Sequence, residues 1–319
     1  MLLSNIFRLF TVFFFIVGFS GAVWACDSCG ITRVGRDGSQ GSTSTQEGPW
    51  FAQYMYENQN WHEKEAAEAH ALHHQGHDVH DKTTEEFHHL TIGNRINERL
   101  TLTAQIPYVM RHSLEVDSHA ILGSKQTSQG LGDLQLLGDW RVRQDERSSL
   151  SAIAGVKFPT GGVKEKNSVG TRFEQELQPG SGSYDYLLGG AYREQATERI
   201  SWVANAVYVF KSEGAQDYHF GDLLSTSVVA DYLINPDSRL LQTKLGLDAN
   251  IQYEQKHKDA GETIKDSGGF FLFLGPTVTV EPCKNFGLTG TFMLPVVQDV
   301  GGIHQTQDFT WTLTAKVGW

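Results

Sequence analysis

The sequence predicts an all-β fold: a closed antiparallel transmembrane β-barrel of about 12 strands that follows a cleaved signal peptide. Three observations predict it. The chain opens on an apolar leader, the remainder alternates with period two in segments of about ten residues, and those segments tend to end in aromatic residues.

In the leader "MLLSNIFRLFTVFFFIVGFSGAVWA", Arg8 supplies the positive start, Leu9 to Phe19 the apolar core, and Val23-Trp24-Ala25 the cleavage motif. Its core is shorter than the roughly 20 apolar residues a membrane-spanning helix needs. Residues 1–25 are therefore read as a signal peptide, 26–49 as a periplasmic N-terminal segment, and 50–319 as a barrel placed in the bacterial outer membrane. Removing Arg8 leaves 25 basic against 37 acidic residues, a formal charge of −12, which argues against nucleic acid and anionic headgroups as partners. Only Cys283 accompanies Cys26 and Cys29, so the fold is not a disulfide scaffold. "CDSCG" places the Cys26–Cys29 pair in an oxidising compartment, where it can close a small disulfide, bind a soft metal or exchange thiols.

The strands follow in order. Leu245, Leu247, Ala249, Ile251 and Tyr253 form an apolar row interleaved with Lys244, Gly246, Asp248, Asn250, Gln252 and Glu254. The same dyad recurs at Leu100 to Tyr108, Leu150 to Phe158, Trp202 to Phe210 and Phe309 to Trp319, with the opposite row small or charged. One row suits lipid and the other water, so a mean hydropathy of only −0.32 is expected. A sheet in lipid cannot leave an unpaired edge, so these strands must close on themselves. A soluble sandwich or lipocalin-like barrel is the rival, but it has no need of a Trp or Tyr at so many strand ends. Twelve segments begin near Trp50, Phe87, Leu100, Asp133, Leu150, Tyr184, Ser201, Leu223, Gln242, Phe270, Phe286 and Phe309. An even count puts both termini in the periplasm, with short charged turns such as "NRINER" and "NPDSR" on that side and long loops outside. Trp319 closes the last strand like the terminal aromatic signal read by the barrel-assembly machinery. Outer-membrane lipid and that machinery are the expected partners. Pro107, Pro159 and Pro295 fall on inward rows near the outer rim, where a residue without an N–H either shapes the mouth or stops a strand.

At Gly130-Leu131-Gly132-Asp133, Trp140-Arg141, Gly155-Val156-Lys157 and Pro159-Thr160-Gly161 the chain resembles the outer-membrane transporter barrels catalogued as meta-pathway phenol-degradation proteins. "NRINERLTLTAQIPYV" is similar to the preceding hairpin of that family. The resemblance implies a barrel with a pore or uptake role and supplies no catalytic residues. "CDSCG" and a histidine-rich first loop depart from the family's commoner pattern.

The inward rows sketch a lumen lined by Arg141, Lys157, Arg193, Lys244 and Lys316 beside Asp133, Asp139, Asp185, Asp231 and Asp248. This mixture lines water without selecting one sign of ion. Residues 161–186, rich in Gly and Ser, either fold inward as a constriction or stand in solvent. His219 beside Asp217, Asp222 and Ser225 is the nearest approach to a catalytic triad, and "GSGSYD" is not a nucleophile elbow.

The first extracellular loop, read as 62–86, carries His70, His73, His74, His77 and His80, five of the 13 histidines. Four of them fall at helical spacings of three and four, and imidazoles flanked by carboxylates suit Cu²⁺ or Zn²⁺. The rival reading is a solvated loop that binds metal incidentally. The expected function is an outer-membrane channel or uptake barrel for a small solute, with a divalent metal as one candidate and no obligatory cofactor. A non-transporting metal-binding or partner-binding barrel is the alternative, and an outer-membrane hydrolase the third reading.

Overall fold

Alternation of apolar and polar residues makes extended strands the only way to keep one row in lipid and the other out of it. The computed structural model describes residues 48–62, 80–115, 124–238, 241–265, 267–300 and 306–319. Residues 1–25, read from the sequence as a signal peptide, and Cys26, Cys29 and His70 to His77 lie outside the described residues.

In chain order the strands are β1 (Trp50–Trp61), β2 (His80–Arg95), β3 (Leu100–Glu115), β4 (Ser124–Leu131), β5 (Leu134–Gln144), β6 (Ser148–Phe158), β7 (Asp185–Gln195) and β8 (Ile200–Lys211). There follow β9 (Tyr218–His219), β10 (Leu223–Leu233), β11 (Gln242–Glu254), β12 (Lys258–Asp259), β13 (Glu262–Thr263), β14 (Gly269–Cys283), β15 (Phe286–Asp299) and β16 (Gln307–Gly318). Every neighbouring pair in the wall is antiparallel, and β16 closes onto β1 with Phe51 opposite Gly318 and Asn58 opposite Trp311. Trp50 and Trp319 exchange backbone hydrogen bonds of 3.1 and 2.9 Å at the seam. The upper half of β3 pairs with β4 and its lower half with β5, so these two are one stave broken at Gly132–Asp133. The wall therefore has 12 staves, and β9, β12 and β13 form a small separate sheet at the extracellular end.

The outward rows carry the half-exposed apolar side chains, among them Leu102, Leu136, Leu188, Leu245, Leu247, Leu288 and Leu313. Trp50, Trp140, Tyr186, Phe210, Tyr232 and Trp319 stand exposed near the strand ends. An apolar belt bounded by aromatics is the surface a bilayer demands.

Two strand starts differ from the sequence reading. β2 begins at His80 instead of near Phe87, so His80 opens a strand and the first extracellular loop is shorter than 62–86. The fourth stave begins at Ser124 instead of near Asp133. These upper stretches, "HDKTTEE" and "SKQTSQG", are polar on both faces, so no dyad announces them. They are held by pairing with β3, which rises with them. The inward row is also less uniformly small or charged than the pattern suggests. Phe87, Val109, Leu187, Val207, Val209, Phe273 and Met293 are buried on it, mostly toward the extracellular end.

Candidate functional site

A strap across the extracellular mouth is built by the connection between β6 and β7, residues 159–184. Its two ends meet at one clasp. Asp133, at the break in the fourth stave, accepts hydrogen bonds from Gly161 N at 2.9 Å, Ser181 N at 2.8 Å and Ser181 Oγ at 2.6 Å. Lys157 Nζ lies 2.5 Å from Asp185 Oδ2 and 3.5 Å from Asp133 Oδ2, and donates to Ser181 Oγ at 2.6 Å. Gly162 N donates to Leu131 O, Gly180 N to Gly162 O, and Leu134 N to Thr160 Oγ1. Gly161 and Gly180 are backbone to backbone: a Cβ on either would lie 2.6 to 2.7 Å from the other's main chain. Of the residues that carry the family resemblance, Leu131, Asp133, Lys157, Thr160 and Gly161 are thus the ones that fasten the strap.

From the clasp the strap crosses the mouth. Phe173, Gln175, Leu177 and Gln178 are each at most 4% exposed. On one wall Arg111 donates through a terminal guanidinium nitrogen to Gln178 O at 2.6 Å and through Nε to Glu85 Oε1 at 2.6 Å. Its guanidinium sits 5.8 Å above the Phe87 ring. On the other side Gln216 donates to Phe173 O, and the Tyr218 hydroxyl is hydrogen-bonded to Glu176 Oε1. His257, in the connection after β11, bridges Tyr218 and Glu254, and Lys211 Nζ donates to Glu254 Oε1 at 2.6 Å. The first anchor stands on β3, third of the 12 staves, and the second in the connection between β8 and β10, the seventh and eighth, with His257 of the connection after the ninth beside it, so the strap is held from two sides. Both outcomes open in the sequence for residues 161–186 are seen: most of 164–172 stands exposed, and 173–183 turns inward.

Below the strap the lumenal charges are sorted along the axis. Near the extracellular end Arg111, Lys157 and Lys211 each pair with carboxylates. Asp248, 1% exposed on the inward row of β11, lies midway. Near the periplasmic end Arg193 reaches Asp139 at 3.1 Å and Lys244 reaches Glu281 at 3.3 Å. There Arg141 donates to Glu98 O at 3.2 Å and to Gln144 Oε1 at 2.9 Å, and Lys316 sits 4.6 Å from the centre of the Phe51 ring. Asp231 is 4% exposed on the inward row of β10. A cavity of about 590 Å³ at this end is lined in part by Arg141, Arg193, Lys244 and Val203. In the sequence these charges read as a single mixture, because alternation gives the side of a strand but not the height at which staggered strands bring charges together.

The triad does not assemble. His219 Nε2 donates to Lys211 O at 2.8 Å, and Asp222 accepts from Tyr208 Oη and Lys211 N, while Ser225 is buried on the inward row of β10. Among the described residues no group of three His, Cys, Asp or Glu side chains is arranged to hold a metal. Cys283 is an exposed free thiol at the periplasmic end of β14.

The fold is shared with solved outer-membrane barrels. The crystal structure of the COG4313 outer membrane channel from Pseudomonas putida F1 superposes with a TM-score of 0.63 at 16% identity, covering 87% of this chain and 98% of that one. The beta domain of the Bordetella autotransporter BrkA superposes with a TM-score of 0.54 at 8% identity, covering 85% of this chain and all of that one. No curated protein matches the sequence significantly. With its closed wall and aromatic-bounded apolar belt, the chain is a barrel of the bacterial outer membrane. The family described as "Putative MetA-pathway of phenol degradation" matches residues 83–296, and the chain belongs to it.

Proposed function

We propose that the protein is an outer-membrane channel for a small solute, with the strap as the constriction that sets what passes. The observation that carries this is a segment fastened at Asp133, with buried residues 173–178, that is anchored both on β3 and on the connection between β8 and β10. A strand-built wall needs no such crossbar for its own hydrogen-bond ladder, which is complete without it. The strap narrows the path between the extracellular space and the charged periplasmic vestibule, as loops do in pores that sieve by diameter and lining. The solute is a small one because twelve strands enclose a modest bore even before the strap intrudes. Catalysis is not part of this reading, since His219, Asp222 and Ser225 face different partners. The test is conductance of the purified protein in a planar bilayer. Discrete unitary steps are expected; a silent bilayer from folded, heat-modifiable protein would contradict the proposal.

A finer reading concerns metal. In the sequence, His70, His73, His74 and His77 fall in the extracellular connection between β1, which ends at Trp61, and β2, which begins at His80. We propose that this stretch, with His80, captures Cu²⁺ or Zn²⁺ there. Titration of the folded protein against a His70/His74/His77→Ala variant tests it: weaker binding in the variant is expected, and equal affinity would leave the histidines as solvated loop.

A further inference from the structure

His257 is fully buried between the strap and the wall. Its Nδ1 lies 2.7 Å from Tyr218 Oη and 3.5 Å from Glu176 Oε1, and its Nε2 lies 3.4 Å from Glu254 Oε1. The Tyr218 hydroxyl has a single proton, and its bond to the strap's Glu176 uses that proton, because an ionised carboxylate only accepts. Nδ1 must then donate to the Tyr218 oxygen, and Nε2 must donate to Glu254. A neutral imidazole has one N–H and cannot do both; an imidazolium has two. The geometry therefore calls for the protonated ring.

We infer that His257 is a proton-operated latch that holds the strap shut. Among the described residues the groups that face it include Glu176 from the strap, Tyr218 from β9, the Phe220 ring at 5.4 Å, and Glu254 from β11 with Lys211 of β8 beyond it. Its own backbone N–H donates to Ser267 Oγ, and neighbouring Lys256 turns its ammonium to Lys265 O. The imidazolium places a positive charge between the Glu176 and Glu254 carboxylates. When the proton leaves for bulk water, that charge is gone and one of the two hydrogen bonds on His257 is lost. The tie is at full strength while the ring is protonated and weakens as pH rises through its titration, so the strap is held shut at acid pH and opens more readily at alkaline pH. A differential interaction equal to one unit of pKa moves the shut-to-open ratio about tenfold.

The effect on transport rests on the channel reading, so two measurements separate them. The first is conductance of the full chain from about pH 5 to about pH 9, a range that brackets imidazole titration. The second is the mobility of a spin label at Val169→Cys, on the exposed outer part of the strap, with Cys26, Cys29 and Cys283 replaced by Ser. Wild type should show conductance and label mobility rising together in one single-proton step. His257→Gln and Glu176→Gln, each confirmed as a heat-modifiable barrel, should lack the step in both readouts. A label whose mobility follows pH in a silent bilayer supports the latch and counts only against the channel. A label indifferent to pH in wild type, or a step of equal size in His257→Gln, overturns the latch.

Discussion

Arg111 Nε lies 2.6 Å from Glu85 Oε1, and the two side chains are only 6% and 0% exposed. The same guanidinium reaches Gln178 O, so one cation both neutralises a buried carboxylate on β2 and holds one side of the strap. Removing one partner of a buried pair leaves an uncompensated charge at a cost of about 3 to 5 kcal/mol. Arg111→Met should lower unfolding stability by that order and also raise conductance. Arg111→Met combined with Glu85→Gln should recover most of the stability while conductance stays high, because the carbonyl of Gln178 still lacks its donor. Chemical denaturation in lipid vesicles beside bilayer recordings checks both halves.

Leu247 and Asp248 are successive residues on opposite faces of β11, the first 58% exposed to the lipid side and the second 1% exposed to the interior. Arginine on the lipid face near the midplane costs about 2 to 4 kcal/mol. Leu247→Arg should lose that much on reversible unfolding. A loss within error would mean that the outward row had been assigned to the wrong face.

At the periplasmic end the inward rows bring together Arg95, Arg141, Arg193, Lys244 and Lys316 against Asp139, Asp231 and Glu281. An excess of cations here, in a chain that is acidic as a whole, should make the pore prefer anions. The reversal potential across a KCl gradient reads this directly. Lys244→Glu should move it toward cation preference, and the difference should shrink as salt rises, because screening shortens from about 10 Å at 0.1 M to about 3 Å at 1 M.

The barrel was legible because one rule, lipid on alternate residues, repeats in strand after strand: Leu245 to Tyr253 and Phe309 to Trp319 state it as plainly as any structure could. That rule stops at the membrane surface. Above it, His80 to Glu86 and Ser124 to Gly130 are strands with two polar faces, visible only once β3 is seen to pair with both. The strap was half legible. Its Gly and Ser content marked a segment free to bend, and the motif around Gly130 to Asp133 and Pro159 to Gly161 marked a family, but nothing local linked them. The link is Asp133 receiving Gly161 and Ser181, residues 28 and 48 positions away. The second anchor draws on Tyr218, 42 residues from Glu176, and on His257, 39 residues from Tyr218, and no spacing rule relates such positions.

If the strap, and not the wall, limits passage, shortening the strap must widen the path. Residues 164–177 are replaced with a short Gly-Ser link that keeps the clasp at Gly161, Gly180, Ser181 and Asp133, and single-channel conductance is compared with wild type in the same bilayer. The 12-stave ladder does not use the deleted residues, so the variant should remain heat-modifiable and conduct several-fold more current per channel. Unchanged unitary conductance in a folded variant would show that the constriction lies elsewhere and would contradict the account.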